Sequence, residues 1–139
     1  MIRKFPMQAF VASASIASVF ATFFTATPKA EAAWDCNAIG SSCVSVSNRG
    51  QYVYYVQGGV ELYAKSSTYG HMEVWGADFH VNTSDKTFNN PLNKGIVAWD
   101  HKIYLNRNLP DGSQVCSQFW RKNGTSYTSG RVQCLTIER

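Results

Sequence analysis

His71, Glu73, Asp78 and His80 fall within ten residues of one another. Imidazoles and carboxylates at that density could do two kinds of chemistry. They could ligate a divalent metal, or they could pass a proton as the acid–base pair of a ribonuclease. Phosphodiester cleavage also needs cations beside the acid–base pair, and Lys65 alone is thin support for that. The simpler interpretation is that His71 and Glu73 are alternate, outward positions of one strand, with Met72 and Val74 between them. Asp100-His101 could belong to a hydrolase, but the chain has no G-x-S-x-G elbow and is too short for the α/β scaffold that holds one. No catalytic residue, metal site or cofactor is therefore assigned.

The element that must position this cluster runs from Val60 to Gly76. The runs VELYAK and HMEVWG flank Ser66 to Gly70, which is the grammar of a β-hairpin. A turn centred near Thr68 pairs Leu62 with Val74 and Ala64 with Met72 on an apolar face. It pairs Glu61 with Trp75, Tyr63 with Glu73 and Lys65 with His71 on the other face. A one-residue slip would mix the faces, so the separation supports the register. On this scheme Tyr63 and Trp75 are diagonal neighbours ringed by Glu61, Glu73 and His71. These five are the candidate ligand-binding residues, because exposed aromatics among hydrogen-bonding groups stack on sugars or anchor proteins. The run Tyr52-Val-Tyr54-Tyr55 could serve the same purpose. The other aromatics are expected in the core.

The rest of the chain reads as strands and turns. Gln51–Gln57 is a strong strand, broken by Gly58-Gly59. Residues 83–94 form a loop anchored by Phe88. Trp99, Ile103 and Leu105 share one side, and Leu109-Pro-Asp-Gly112 is a turn. Ser113 to Ile137 is a second hairpin with a loop longer than two residues at its tip. Val115, Phe119 and Leu135 supply core there. No segment keeps a 3.6-residue period, and turns recur every 8–12 residues. The expected fold is all-β, a small antiparallel sandwich or barrel of roughly 7–9 strands.

Cysteine usage sets the compartment. Cys36, Cys43, Cys116 and Cys134 form an even set without a C-x2-C pair, which means disulfides rather than zinc. Local pairing, Cys36 with Cys43 and Cys116 with Cys134, is expected. The second bridge closes a loop of about 19 residues and stabilises by roughly 3 kcal/mol. The N-terminus agrees: Arg3 and Lys4 precede an apolar stretch from Ala9 to Ala26, and Ala30-Glu-Ala32 offers a cleavage site. Residues 1–32 are thus expected to be a signal peptide and 33–139 a single secreted domain. The leader carries Arg3, Lys4, Lys29 and Glu31, so the net charge of +4 falls to +2 on its removal. Without a block of like charge, nucleic acid is excluded as a partner. After cleavage no membrane attachment is expected, and the product should be a monomer.

At VELYAKSSTYGHMEVWG and VCSQFWRKNGTSYTSGRVQCLTI the chain resembles small secreted two-disulfide β-proteins of Gram-positive bacteria, of the actinobacterial type. That group has a cysteine in the first hairpin where this chain has Thr68-Tyr69-Gly70. The resemblance implies a compartment and a β-fold, and no site residue comes with it. Three functions follow. The first is a secreted non-enzymatic binding protein, whose partner is a protein such as a protease or a cell surface. The second is a carbohydrate- or cell-wall-binding module. The third is a small ribonuclease-like hydrolase.

Overall fold

The computed structural model describes residues 31–139, and these form eleven β-strands with no helix among them. The expected leader lies outside the described residues, except that Glu31 and Ala32 make the first pairs of strand β1. One sheet contains β1 (Glu31–Cys36), β2 (Ser42–Arg49), β3 (Tyr52–Leu62), β7 (Ile96–Trp99) and β8 (Ile103–Asn108). The other contains β4 (Ser67–Trp75), β5 (His80–Asn82), β6 (Lys86–Asn89), β9 (Gln114–Asn123), β10 (Ser126–Ser129) and β11 (Gln133–Thr136). All pairing is antiparallel. Strands β7 and β8 share one edge of β3, β5 and β6 share one edge of β4, and β10 and β11 share one edge of β9. Each sheet is therefore four strands wide, and the two stack as a sandwich.

The alternation of apolar residues builds the core. Val44, Val46, Val53, Val56, Val60 and Leu62 point inward from the first sheet, and Met72, Val74, Phe88, Val115 and Phe119 from the second. Leu109 and Ile137 close it, with Leu135 packed at its margin. Two buried serines join the sheets: Ser42 Oγ accepts from Phe119 N at 2.7 Å, and Ser117 Oγ donates to the Cys43 carbonyl at 2.5 Å. Both disulfides form as expected, Cys36–Cys43 and Cys116–Cys134. Each bridges directly opposite residues of neighbouring strands within one sheet.

Several expectations are corrected. Gly58-Gly59 does not end the strand, because β3 continues to Leu62. The glycines instead let both faces of β3 be approached closely. A Cβ on Gly58 would lie 2.9 Å from Val74 in the opposite sheet, and one on Gly59 would lie 2.6 Å from the Trp99 ring. Trp99 thus lies across Gly59 on the outside, apart from Ile103 and Leu105, which pack inward. Residues 83–94 contain strand β6, anchored by buried Phe88 as its size suggested. The tip of the closing hairpin is the two-residue loop Gly124-Thr125, with positive φ at Gly124 alone, the pattern of a type II′ turn. The turn before it has Gly112 at φ +78°, and Ser113 N donates to Pro110 O.

The largest correction concerns Val60 to Gly76. Strands β3 and β4 do not pair; they lie in opposite sheets. The alternation holds for Leu62, Met72 and Val74, which are all buried, while Ala64 lies past the end of β3 and is exposed. The chain crosses between the sheets here because the crossing is pinned from elsewhere. Asn90 is 1% exposed and its amide donates to the carbonyls of Leu62, Tyr63 and Lys94, while its Oδ1 accepts from Leu92 N. Every hydrogen-bonding atom of that side chain is used, so the crossing is fixed rather than loose.

Candidate functional site

The five candidate residues separate with the two strands. Glu61 and Tyr63 stay with the first sheet, while His71, Glu73 and Trp75 lie on the outer face of the second. Tyr63 and Trp75 are therefore not neighbours. Tyr63 is exposed at the rim of a cavity of about 130 Å³, between the end of β3 and Arg121.

On the second sheet, strand alternation places His71, Glu73 and Trp75 of β4 outward beside Trp120, Gln118 and Cys116 of β9. The acidic groups there are fully engaged. Glu73 Oε1 accepts from His80 Nε2 at 2.7 Å, and its Oε2 accepts from Trp120 Nε1 at 2.7 Å. Asp85 Oδ1 meets His71 Nδ1 at 2.8 Å, and its Oδ2 accepts from Lys122 Nζ at 2.9 Å and from the Tyr127 hydroxyl at 2.7 Å. A carboxylate can only accept, so His71 carries its proton on Nδ1. The Tyr127 hydroxyl, then Lys122 and His71, hold the Asp85 carboxyl well below the usual carboxylate range. In return Asp85 raises both Tyr127 and Lys122 above their ordinary values. A shallow cleft of about 290 Å³ lies beside this network, walled by Trp75 and Phe79 with Glu73 and His80 at its base.

His71, Glu73 and His80 are thus on one face, as their spacing suggested, but they do not form one centre. Glu73 pairs with His80, and His71 with Asp85. Neither acid has a free oxygen, and no arginine lines the cleft for a phosphate. No group of three metal-ligating side chains forms among the described residues. His101 Nδ1 stands 3.1 Å from Asp100 Oδ1. Burial pushes the Asp100 carboxyl up, but Lys86, whose Nζ is 2.6 Å away, and other donors outweigh it and leave it low. Lys86 and Asp100 tie β6 to the end of β7 and so link the sheets.

The outer face of the first sheet is different in kind. Tyr55 and Tyr104 are cross-strand partners with rings 5.8 Å apart at 65°. Trp34 of β1 meets Trp99 of β7 edge-to-face at 6.3 Å and 84°. Tyr52 and Tyr54 form a third pair at 5.0 Å. Trp34 remains 60% exposed and Tyr104 65% exposed despite these contacts. Between the Trp and the Tyr pairs the outward residues of β2 and β3 are Ser45, Ser47 and Gln57. Lys102 places its ammonium 4.4 Å from the centre of the Tyr55 ring. Sequence reasoning flagged only Tyr52, Tyr54 and Tyr55 of this set. Trp34 and Trp99 are 65 positions apart in the chain, and only strand order brings them together.

Comparison with protein-family models, curated proteins and solved structures returned no match. The two disulfides place the chain in an oxidising compartment. Among the described residues no helix is long and apolar enough to cross a membrane.

Proposed function

We propose that this is a secreted, non-enzymatic binding protein, released by removal of residues 1–32, whose working surface is the outer face of the first sheet. Its partner is a protein, such as a protease, or a cell surface, and it acts as a monomer. One observation carries this reading: Trp34 and Tyr104 stay more than half exposed on a rigid sheet, each braced by a second aromatic ring. Large rings left in water without a polar network are the common anchors of recognition surfaces. The second sheet supports the same conclusion from the other side. Its two carboxylates, Glu73 and Asp85, have every oxygen bonded to a neighbouring donor.

The test is retention of the mature domain by intact bacterial cells, isolated cell walls and immobilised secreted proteases. Wild type should be retained by at least one of these. Trp34→Ala/Tyr104→Ala should weaken retention by more than about tenfold, the loss of two aromatic anchors. Trp75→Ala/His80→Ala should leave it unchanged. The opposite outcome, with only the second pair mattering, would move the working surface to the other sheet.

A further inference from the structure

We propose that the chain modifies itself at the tip of its closing hairpin, where Asn123 and Gly124 lose ammonia to form a cyclic imide that water then opens. The site needs no partner and lies off the outer face of the first sheet, so it stands apart from the binding function.

The turn supplies the reactants. Asn123 is the one asparagine of the chain followed by glycine. A glycine has no side chain to hinder attack by its own backbone nitrogen, and a Cβ built on Gly124 would meet nothing within 4 Å. Asn123, Gly124, Thr125 and Ser126 are all exposed. The ladder closes through Asn123 and Ser126, so the Gly124 N–H has no partner among the described residues and is open to water and base. Asp111-Gly112 makes an instructive contrast, because an aspartate before glycine can form the same imide. There Gly112 N donates to Ile137 O at 2.7 Å and is held.

Two hydroxyls stand where the reaction needs them. Ser126 Oγ donates to Asn123 O at 3.1 Å. That carbonyl belongs to the same peptide unit as the Gly124 nitrogen, so the bond stabilises the negative charge that deprotonation spreads over the unit. Asn123 Nδ2 lies 3.0 Å from Thr128 Oγ1. This contact orients the side-chain amide, and the hydroxyl can hand a proton to the nitrogen as it leaves. Gly124 N bonds to Asn123 Cγ, the Cγ–Nδ2 bond breaks, and ammonia departs with the proton that Gly124 gave up. Water then adds to one of the two imide carbonyls. Opening at Cγ leaves an aspartate at position 123. Opening at the backbone carbonyl leaves an isoaspartate, whose main chain runs through Cβ and Cγ. Either product carries a new negative charge. The isoaspartate also lengthens the strand one rung from Lys122 and Tyr127, which both bond Asp85.

The experiment incubates the mature domain in water enriched in heavy oxygen and follows residue 123 by peptide mapping and mass spectrometry. Residue 123 should become acidic and take up one heavy oxygen, about tenfold faster for each unit of rising pH, because the deprotonated amide reacts. The folded protein should react within about tenfold of the urea-unfolded chain, since turn tips open at almost no cost. Ser126→Ala should slow the folded protein by about tenfold and leave the unfolded chain unchanged, as expected for loss of one aimed donor. Asn123→Gln keeps the turn but cannot close the five-membered ring, and should stay unmodified. A folded wild type that does not react while the unfolded chain does overturns the proposal. So does a Ser126→Ala variant that reacts as fast as wild type when folded.

Discussion

The two outer faces of this sandwich are built on one plan and finished in opposite ways. Each sheet carries a cross-strand disulfide between an edge strand and its neighbour. Each has a tryptophan further along the same row: Cys36, Cys43, Gly59 and Trp99 in the first sheet, and Cys134, Cys116 and Trp75 in the second. On the second sheet the remaining outward groups satisfy one another through Glu73 and Asp85. On the first they are aromatic rings that meet edge-to-face and stay open to solvent. The lesson is that polar residues close together in sequence need not be the working ones. Carboxylates whose oxygens are all bonded to neighbours hold the sheet together, while braced but exposed rings still have surface to give.

That contrast can be broken by measuring what each face contributes. The largest effects should come from the bridges. Cys116→Ala/Cys134→Ala should lower the unfolding free energy in urea by about 3 kcal/mol, and Cys36→Ala/Cys43→Ala by about 2 kcal/mol, because the loops differ in length. Equal losses would mean that burial, rather than loop closure, sets their worth. Next, Glu73→Ala leaves the Trp120 indole N–H and His80 without their acceptor and should cost about 2 kcal/mol. Trp34→Ala, on the other face, should fall within about 0.5 kcal/mol of wild type. Similar costs at the two positions would erase the distinction between a structural and an open face.

A smaller effect depends on pH. Asp85 is depressed in the folded state, so between its folded value and the ordinary 3.8 the unfolded chain binds more protons than the folded one. Its stabilisation is present above about pH 4 and declines as pH falls through that range. The stability difference between wild type and Asp85→Asn in urea should therefore shrink from pH 6 to pH 3. A difference that stays constant would show that the pairing with Tyr127, Lys122 and His71 does not depend on the charge of Asp85.

Much of this architecture can be read from local sequence, because much of it is local. Cys116 and Cys134 face one another across a hairpin whose alternation is plain, and Phe88 is the only large side chain able to anchor its segment. The inward and outward sense of β3 and β4 is equally plain. The partner of each strand is not, since alternation is the same whether two strands pair edge to edge or stack face to face. The choice is made by Asn90, which pins the crossing from 28 and 27 residues downstream of Leu62 and Tyr63, and no property of Val60 to Gly76 announces it. Gly58 and Gly59 looked like a strand end because glycine usually weakens a strand; the reason for them lies in Val74 and Trp99, visible only once the sheets are stacked. The candidate site followed the same rule. His71, Glu73 and Trp75 do share a face, but Tyr63 and Glu61 could join it only through a pairing that does not form.

Each disulfide is confined to one sheet and to one side of the exposed turn at Pro110-Asp111-Gly112. A single proteolytic cut after Asp111 would therefore leave two covalently separate pieces, one ending at Asp111 with the Cys36–Cys43 bridge and one running from Gly112 to Arg139 with the Cys116–Cys134 bridge. The closing hairpin would then be held by non-covalent contacts alone: its ladder with β4, the serine contacts between sheets, the bonds of Trp120 to Glu73 and of Lys122 and Tyr127 to Asp85, and the core around Phe119. Folding of the nicked protein would become an association, with a melting temperature that rises with concentration. The intact chain would show no such dependence, although both carry the same two disulfides.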